Sequence, residues 1–528
     1  MNLPLRLDGA TLDAAGTAVA VTPHHLATAA AIAVLGGGGN AVDAAIAANA
    51  TLGVVAPETC GIGGDLFALV HTPGDPMPAA LNASGCAGRG AEAAVLRDTG
   101  MTRIPIESPF AVTVPGCVDG WIALSKRYGS VPLAAVLAPA VDHGRIGFSA
   151  SPELAQSLLR YENALRPQDA ATGLYPGGKA PATGAAVTRP QLAETLVAVG
   201  RHGRNAFYAG DVAEGIISVT NGVLTADDLE RTQAEWIVPI SLEIMGWKGW
   251  TIPPNSQGYL ALAAAWLFEQ LDPPRDPESP GFFHAAIEAY RSVAWERDDF
   301  VADPGYLPVL DLLDRGRLER RLAEISPTRR GDWPAPRPAG SGTAYLAVRD
   351  ATGMGVSLIQ SNFHGIGSRI GVGTGGFFLH DRGSNFTLQP GHPNELAPGK
   401  RPSHTLSPTL WTEGNELRML LGTRGGDFQP QTLLQMVAYM RWAGLGGTEA
   451  HRQPRWATSE WRASDDSVAV EPHLDQAAIT ELRDRGHEIR PTGHWMAGWG
   501  PVSVITVHAG YATGAADPRV AATAAMSR

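Results

Sequence analysis

The sequence predicts a globular fold of mixed helix and strand, on three observations. Hydrophobic residues make up 44% of the 528 and charged residues 18%, enough apolar side chains for a large core and too little charge for a disordered chain. The first 150 residues alternate alanine-rich segments with glycine runs, the pattern of closely packed helices broken by turns. Thr343-Ala-Tyr-Leu-Ala-Val-Arg349, the turn Asp350-Ala-Thr-Gly353 and Met354-Gly-Val-Ser-Leu-Ile-Gln360 spell a β-hairpin.

Taken in order, residues 25–35 read as an apolar helix that Gly36-Gly-Gly-Gly39 stops. Asn40 is placed to cap a second helix over 41–52, with Asp43 in its first turn where a carboxylate suits the helix dipole. Gly61-Ile-Gly-Gly64 then leads into a strand over 66–71. The stretch from about 120 to 325 reads as mostly helical scaffold, with helices over 121–128, 152–164, 189–202 and 282–298. Residues 327–342 carry four prolines and little apolar content besides Trp333, so an exposed, mobile loop is expected. Composition alone makes that loop an interdomain linker. Beyond the hairpin come a glycine-rich run from Gly365 to Gly376, then Gly422-Thr-Arg-Gly-Gly-Asp427 and a helix over 430–443.

Several function classes are disfavoured. The net charge of −11 lacks the basic footprint of a nucleic-acid binder. The three cysteines, Cys60, Cys86 and Cys117, form no CxxC pair, which argues against a disulfide framework and a structural zinc. They read as buried small hydrophobes. The chain starts without a signal-peptide pattern, and its apolar runs, such as 260–268, fall far short of the ~20 residues of a membrane span. A soluble cytoplasmic protein is expected, with no metal and no cofactor. His24-His25, at a helix start, reads as capping or surface. The glycine runs fit neither a dinucleotide fingerprint nor a Walker loop.

The chemistry begins at Thr343. A threonine hydroxyl is a weak nucleophile that needs a base. If the preceding peptide bond is cut, the new α-amine, with a pKa near ~8, can take the hydroxyl proton itself. Ser341-Gly342-Thr343 meets the requirement: a small flexible residue followed by a hydroxyl residue at a strand start. Gly-Thr at a strand start is common, so the signal is weak by itself. Gly425-Gly426, ahead of a helix, could present consecutive N–H groups to an oxyanion; an ordinary glycine turn explains them equally well.

Together these segments resemble the γ-glutamyltransferase (glutathione hydrolase) family of N-terminal-nucleophile hydrolases, and its lid-less acylase branch. The resemblance rests on Leu35-Gly-Gly-Gly-Gly-Asn-Ala-Val-Asp-Ala-Ala45, Gly61-Ile-Gly-Gly64, Val114-Pro-Gly-Cys-Val-Asp-Gly120, Gly342-Thr343, Lys400-Arg-Pro402, Leu406-Ser-Pro-Thr409, Gly422-Thr-Arg-Gly-Gly426 and Asp517-Pro-Arg519, in order along the chain. It implies an α+β fold, a four-layer αββα sandwich. It implies a precursor cut between Gly342 and Thr343 into residues 1–342 and 343–528, both held in one sandwich. Thr343 would form an acyl-enzyme with a small amide, which water or an amine would release. Gly425 and Gly426 match the oxyanion pair, and Ser361 falls where the family has an assisting hydroxyl, usually Thr.

The glutamyl pocket of the family is altered. Ser84 stands where an arginine would grip the substrate α-carboxylate, with Arg89 five residues on. A neutral hydroxyl cannot replace a charge-assisted, bidentate clamp. Asn385 aligns with the acid that receives the α-amino group, His404 and Thr405 with a serine pair, and Phe363 with an asparagine. Pro390-Gly-His-Pro-Asn394 runs to Arg401-Pro402 without room for the family lid. Arg382, Arg89 and Arg424 are candidate replacement anion clamps. His364 reads as an ordinary loop histidine, while His404 has a site reading through its alignment. The expectation is an amidohydrolase or acyltransferase with a modified acyl pocket. Its alternatives are an acylase on a non-glutamyl amide, of cephalosporin-acylase or oxamate type, and an uncleaved scaffold.

Overall fold

The computed structural model describes residues 12–334, 342–458, 467–472 and 474–528. Two antiparallel seven-stranded sheets lie face to face, with helices on both outer sides, forming the four-layer αββα sandwich. The first sheet runs Ala524–Ser527, Val19–Thr22, Thr343–Arg349, Gly355–Ser361, Asp65–His71, Ala79–Ala83, Glu235–Ile237. The second runs Asp13–Gly16, Tyr511–Ala516, Val502–His508, Glu416–Thr423, Thr409–Glu413, Trp247–Thr251, Ile240–Ile244. Strands from before and after residue 342 therefore interleave in both sheets.

Alternation along a strand divides its side chains between two cores. On Thr343–Arg349, Ala344, Leu346 and Val348 face the first helical layer, and Tyr345 and Ala347 pack between the sheets. Both faces are dry, so the strand reads as a continuous apolar run. The helix Ala41–Val55 is buried throughout its length, and its many alanines let it lie close against His25–Gly36 and Leu133–Ile146. It starts where expected: Asn40 Oδ1 accepts the N–H groups of Val42 and Asp43 at 2.9 and 3.1 Å, and Asp43 returns a bond to the Asn40 N–H at 3.1 Å. His24 caps the preceding helix through Nδ1. On the far side, Tyr259–Gln270, Pro280–Ala294 and Gln429–Val437 cover the second sheet.

The structure differs from the sequence expectation in four places. The segment expected to be mostly helical contains a hairpin, Ile240–Ile244 and Trp247–Thr251, at the edge of the second sheet. Its turn residues Met245 and Gly246 both have positive φ, 50° and 77°, matching the twist of paired strands. Ile240, Leu242 and Ile244 alternate with Ser241 and Glu243, a period of two that the surrounding helices obscured. The helix expected over 152–164 breaks at Tyr161 into Pro152–Arg160 and Glu162–Leu165, and the one expected over 282–298 runs over Pro280–Ala294 and gives way to a separate turn of helix, Arg297–Phe300. Of the expected loop over 327–342, residues 335–341 lie outside the described residues. Its earlier part is anchored: the Trp333 indole N–H and the Gly331 N–H donate to Glu288 at 2.9 and 2.7 Å. Cys60 and Cys117 are buried and Cys86 is half-buried; all three are free. Among the described residues no helix is long and apolar enough to cross a membrane.

Candidate active site

Strand ends line up to make the site. In the first sheet Thr343 pairs with Ser361 and Ser361 with Asp65, while the adjacent Leu66 pairs with Ala83, so Ser84 follows in the same row. Thr343 is 1% exposed in the intact chain. Its Oγ1 lies 3.1 Å from Ser361 Oγ, and the Ser361 hydroxyl donates to the Gly342 carbonyl at 2.6 Å. Since Ser361 has one proton and it goes to that carbonyl, the Thr343 hydroxyl is the donor of the pair. The Phe363 N–H, at 2.9 Å, and Arg382 Nη2, at 3.1 Å, also converge on Ser361 Oγ. Only glycine fits at 342: an added Cβ would stand 2.4 Å from the Phe363 carbonyl and 2.5 Å from the Gly365 nitrogen.

Asp65 is the hub behind this row. Its Oδ2 accepts from His404 Nε2 at 2.8 Å and Arg382 Nε at 2.9 Å, and His380 Nδ1 lies at 3.4 Å. Burial alone would push this carboxyl up; His404 and Arg382 beside it hold it well below the usual carboxylate range. Burial and the Arg382 charge lower His404 to about 4, so His404 is neutral at pH 7 and donates through Nε2. Arg382 is fully buried and its fork is committed: Nε to Asp65, Nη1 to Thr405 Oγ1 at 3.2 Å, Nη2 to Ser361. Its guanidinium stacks on the Phe363 ring at 4.0 Å.

A second arm reaches the glycine pair. The Gln257 amide donates to the Thr405 carbonyl at 2.8 Å and to the Gly426 carbonyl at 2.9 Å, while Arg297 Nε fixes its Oε1 at 2.6 Å. Gly425 and Gly426 have φ of 127° and 57°, which a side chain would strain. Among the described residues neither of their N–H groups is spent on an acceptor. Arg424, next to them, is engaged by Glu153 at 2.6 Å.

The remaining expected residues fall into separate groups. Ser84 Oγ donates to Asn82 at 2.7 Å and accepts from Asn255 at 3.1 Å and from Arg401 Nη1 at 3.2 Å. Asn385 donates to the Ser403 carbonyl and hydroxyl at 2.9 and 2.6 Å. Arg89 lies at the surface against Asp227. His364 Nδ1 is 2.6 Å from buried Asp381. A cleft of about 560 Å³ borders Gly342 and His364, whereas a larger one of about 900 Å³, lined by Asn82, Ile240, Pro254 and Arg401, includes neither Gly342 nor Thr343.

Sequence reasoning passed over Asp65, His380, Gln257, Arg297 and Arg401. Asp65 had a signal: an acid directly after Gly61-Ile-Gly-Gly64, at the head of a strand buried along its whole length. Gln257 and Arg297 had none, because their partners lie far off in sequence.

The comparisons follow this geometry. A family model described as gamma-glutamyltranspeptidase matches residues 27–527. The glutathione hydrolase-like YwrD proenzyme of Bacillus subtilis is 36% identical over 514 residues, covering 94% of this chain and 96% of that one. The oxamate amidohydrolase proenzyme of Klebsiella pneumoniae subsp. pneumoniae is 32% identical over 518 residues, covering 95% and 97%. The crystal structure of cephalosporin acylase from Bacillus halodurans superposes with a TM-score of 0.89 at 31% identity, over 97% of this chain and 96% of that one.

Proposed function

The chain belongs to the gamma-glutamyltranspeptidase family, a family of N-terminal-nucleophile amidohydrolases and acyltransferases, and from that premise we propose that Thr343 is its nucleophile, released by self-cleavage after Gly342. The observation that carries this reading is the triangle of the Thr343 hydroxyl, the Ser361 hydroxyl and the Gly342 carbonyl. Ser361 polarises the carbonyl whose carbon Thr343 Oγ1 attacks. The Gly342–Thr343 C–N bond then breaks as its nitrogen takes up a proton, leaving Gly342 as an ester on Oγ1. Water cleaves the ester, giving a Gly342 carboxylate, the free hydroxyl and a new α-amine. The pieces 1–342 and 343–528 stay together because their strands interleave in both sheets.

In turnover the α-amine, with a pKa near ~8, takes the Oγ1 proton. Oγ1 attacks the substrate amide, and the N–H groups of Gly425 and Gly426 receive the developing oxyanion, a contribution of ~3 kcal/mol per donor. The amine leaves with the proton, and water or a second amine takes the acyl group. Asp65, through Arg382, sets the orientation of Ser361. Ser84 and Asn385, standing where the family grips the glutamyl carboxylate and amine, support an acyl group not held as a zwitterion. The oxamate amidohydrolase and cephalosporin acylase names of similar proteins support the same reading.

Intact mass spectrometry of purified protein tests it. Two chains, the second beginning at Thr343, with an acyl adduct on that chain during turnover, are expected. Turnover confined to γ-glutamyl-p-nitroanilide and glutathione within a panel of acyl amides would refute the altered pocket.

A further inference from the structure

If Thr343 is the nucleophile and the Gly425–Gly426 pair its oxyanion donors, on which this inference rests, one threonine performs two reactions. The structure supports them differently. In the uncut chain the carbonyl under attack is that of Gly342, and it accepts from Ser361 Oγ at 2.6 Å. The N–H groups of Gly425 and Gly426 stay unused. Polarisation of Gly342 therefore comes from the Ser361 side, and the glycine pair is left for the later acyl group.

Two consecutive glycines make a mobile oxyanion hole unless something braces them. Both have positive φ, and glycine backbone is the freest to move. Local bonds shape the turn. The Arg424 carbonyl accepts the Thr423 hydroxyl at 2.8 Å, and the Gly425 carbonyl accepts the Phe428 N–H at 3.0 Å. The C=O and N–H of a trans peptide point in opposite directions, so these two bonds aim the N–H groups of Gly425 and Gly426. They do not set where the turn stands relative to Thr343.

Gln257 makes that connection. It is fully buried and uses both amide hydrogens, one on the Gly426 carbonyl at 2.9 Å and one on the Thr405 carbonyl at 2.8 Å. Its own N–H donates to the His404 carbonyl at 3.0 Å. The Thr405 hydroxyl in turn meets Arg382, whose other nitrogens hold Asp65 and Ser361. One side chain thus ties the oxyanion turn to the row that ends on Thr343. Arg297 fixes which way its amide faces. A guanidinium only donates, so the bond from Nε at 2.6 Å requires Oε1 on that side and turns the NH₂ toward the two carbonyls. Arg297 Nη2 also donates to the Tyr290 hydroxyl at 3.0 Å and to the Asp427 carbonyl at 3.3 Å, gripping the next residue of the turn.

We infer that Gln257, oriented by Arg297, is a positioning residue for turnover alone. It sets the distance from Thr343 Oγ1 to the oxyanion donors, and self-cleavage does not use it.

Gln257→Met, of similar size with no polar end, tests this on the full chain. The substrate is p-nitrophenyl acetate, which does not depend on the identity of the natural acyl group. Its acetyl group passes to Thr343 Oγ1 as the bond to p-nitrophenolate breaks, the α-amine takes the Oγ1 proton, and water then releases acetate. Intact mass spectrometry is expected to show the variant cut after Gly342 at the parent rate. Its kcat should fall about 10²-fold with KM changed less than about threefold, as a displaced oxyanion donor predicts. The sulfur analogue, O-p-nitrophenyl thioacetate, forms a thiolate that accepts hydrogen bonds weakly. The parent's preference for the oxygen ester should therefore narrow about tenfold in the variant. Should Gln257→Met fail to fold, Arg297→Lys carries the same test: it keeps the charge beside Asp427 but cannot reach every partner, so kcat falls about tenfold with processing intact. A variant that is cut and turns over like the parent overturns the role of Gln257 and leaves the nucleophile standing. Processing slowed in step with turnover, or an unchanged oxygen-to-sulfur preference, marks a merely structural crosslink and overturns it too. A parent chain that stays whole and gains no acetyl group on Thr343 overturns the nucleophile assignment, and this role with it.

Discussion

Asp65 and Asp517 are both fully buried and both face arginine, yet their networks end on different kinds of atom. From Asp65 the bonds run through Arg382 to the hydroxyls of Ser361 and Thr405. From Asp517 they run to Arg455, at 2.7 Å, and Arg519, at 3.3 Å, and these arginines end on the backbone carbonyls of Trp499, His451 and Gln453 and on the buried His451 ring, with no hydroxyl among them. Glu471 supplies the second negative charge, bound to Arg519 and to the N–H groups of Arg455 and Met496. The second network is closed: two arginines face two carboxylates within it, and what it fixes is chain path. The first is open at one end, where a hydroxyl chain leads to Gly342. A buried ion pair costs desolvation wherever it stands, so burial alone does not distinguish structure from chemistry; the atoms at the network's end do.

Breaking the open end gives the largest effect. Thr343→Ala removes the attacking oxygen, so the protein should migrate as one band of 55.4 kDa and show no amide turnover. Two bands and normal turnover would sink the reading of that network. Next comes a matched pair, Asp65→Asn and Asp517→Asn. Asp65→Asn frees Arg382 to shift and misplaces Ser361, so kcat should fall on the order of 10²-fold, with processing slowed in step. Asp517→Asn leaves Arg455 and Arg519 under-compensated, so unfolding free energy should fall by about 3–5 kcal/mol, while kcat of the folded fraction changes far less. If the two variants lost activity and stability in the same proportion, the distinction between open and closed networks would be wrong.

How much of this was legible in the sequence follows from range. The cap at Asn40 and the hairpin from Thr343 to Ser361 depend on residues a few positions apart, and both were readable. The strand that starts at Thr343 was readable from a local pattern as well, while the cut before it rests on the proposal above. The Asp65 hub was not: its partners, Arg382 and His404, are 317 and 339 residues away, and nothing near Asp65 demands an arginine. The same holds for Gln257, which joins two carbonyls from different loops. The 240–251 hairpin was missed for another reason. Its turn is Met-Gly in place of Asn-Gly, so the strongest short-range hairpin cue was absent. Tyr161 lay inside an expected helix, and only the structure shows Arg160 and Arg369 both against its ring.

Acid sharpens the comparison with a smaller effect, because each network contains a histidine held neutral. Burial and Arg382 lower His404 to about 4, and burial lowers His451, beside Asp517 and Arg455, to about 4 as well. An unfolded histidine has a pKa near ~6.5, so below that value the unfolded chain binds protons that the folded chain refuses. Stability contributed by each is complete above ~6.5 and is lost as pH falls toward about 4, on the order of 2–3 kcal/mol per histidine. The two carboxylates add nothing in that window. Both are held well below the usual carboxylate range, so their contribution starts to disappear only below about pH 4, the ordinary range of an unfolded Asp. Denaturant midpoints measured from pH 7 to 4.5 on the Thr343→Ala chain, which keeps unfolding within one molecule, should therefore decline steadily. His404→Gln and His451→Gln should each remove a comparable part of the slope. A flat profile in the parent would mean that neither imidazole is held neutral by its surroundings.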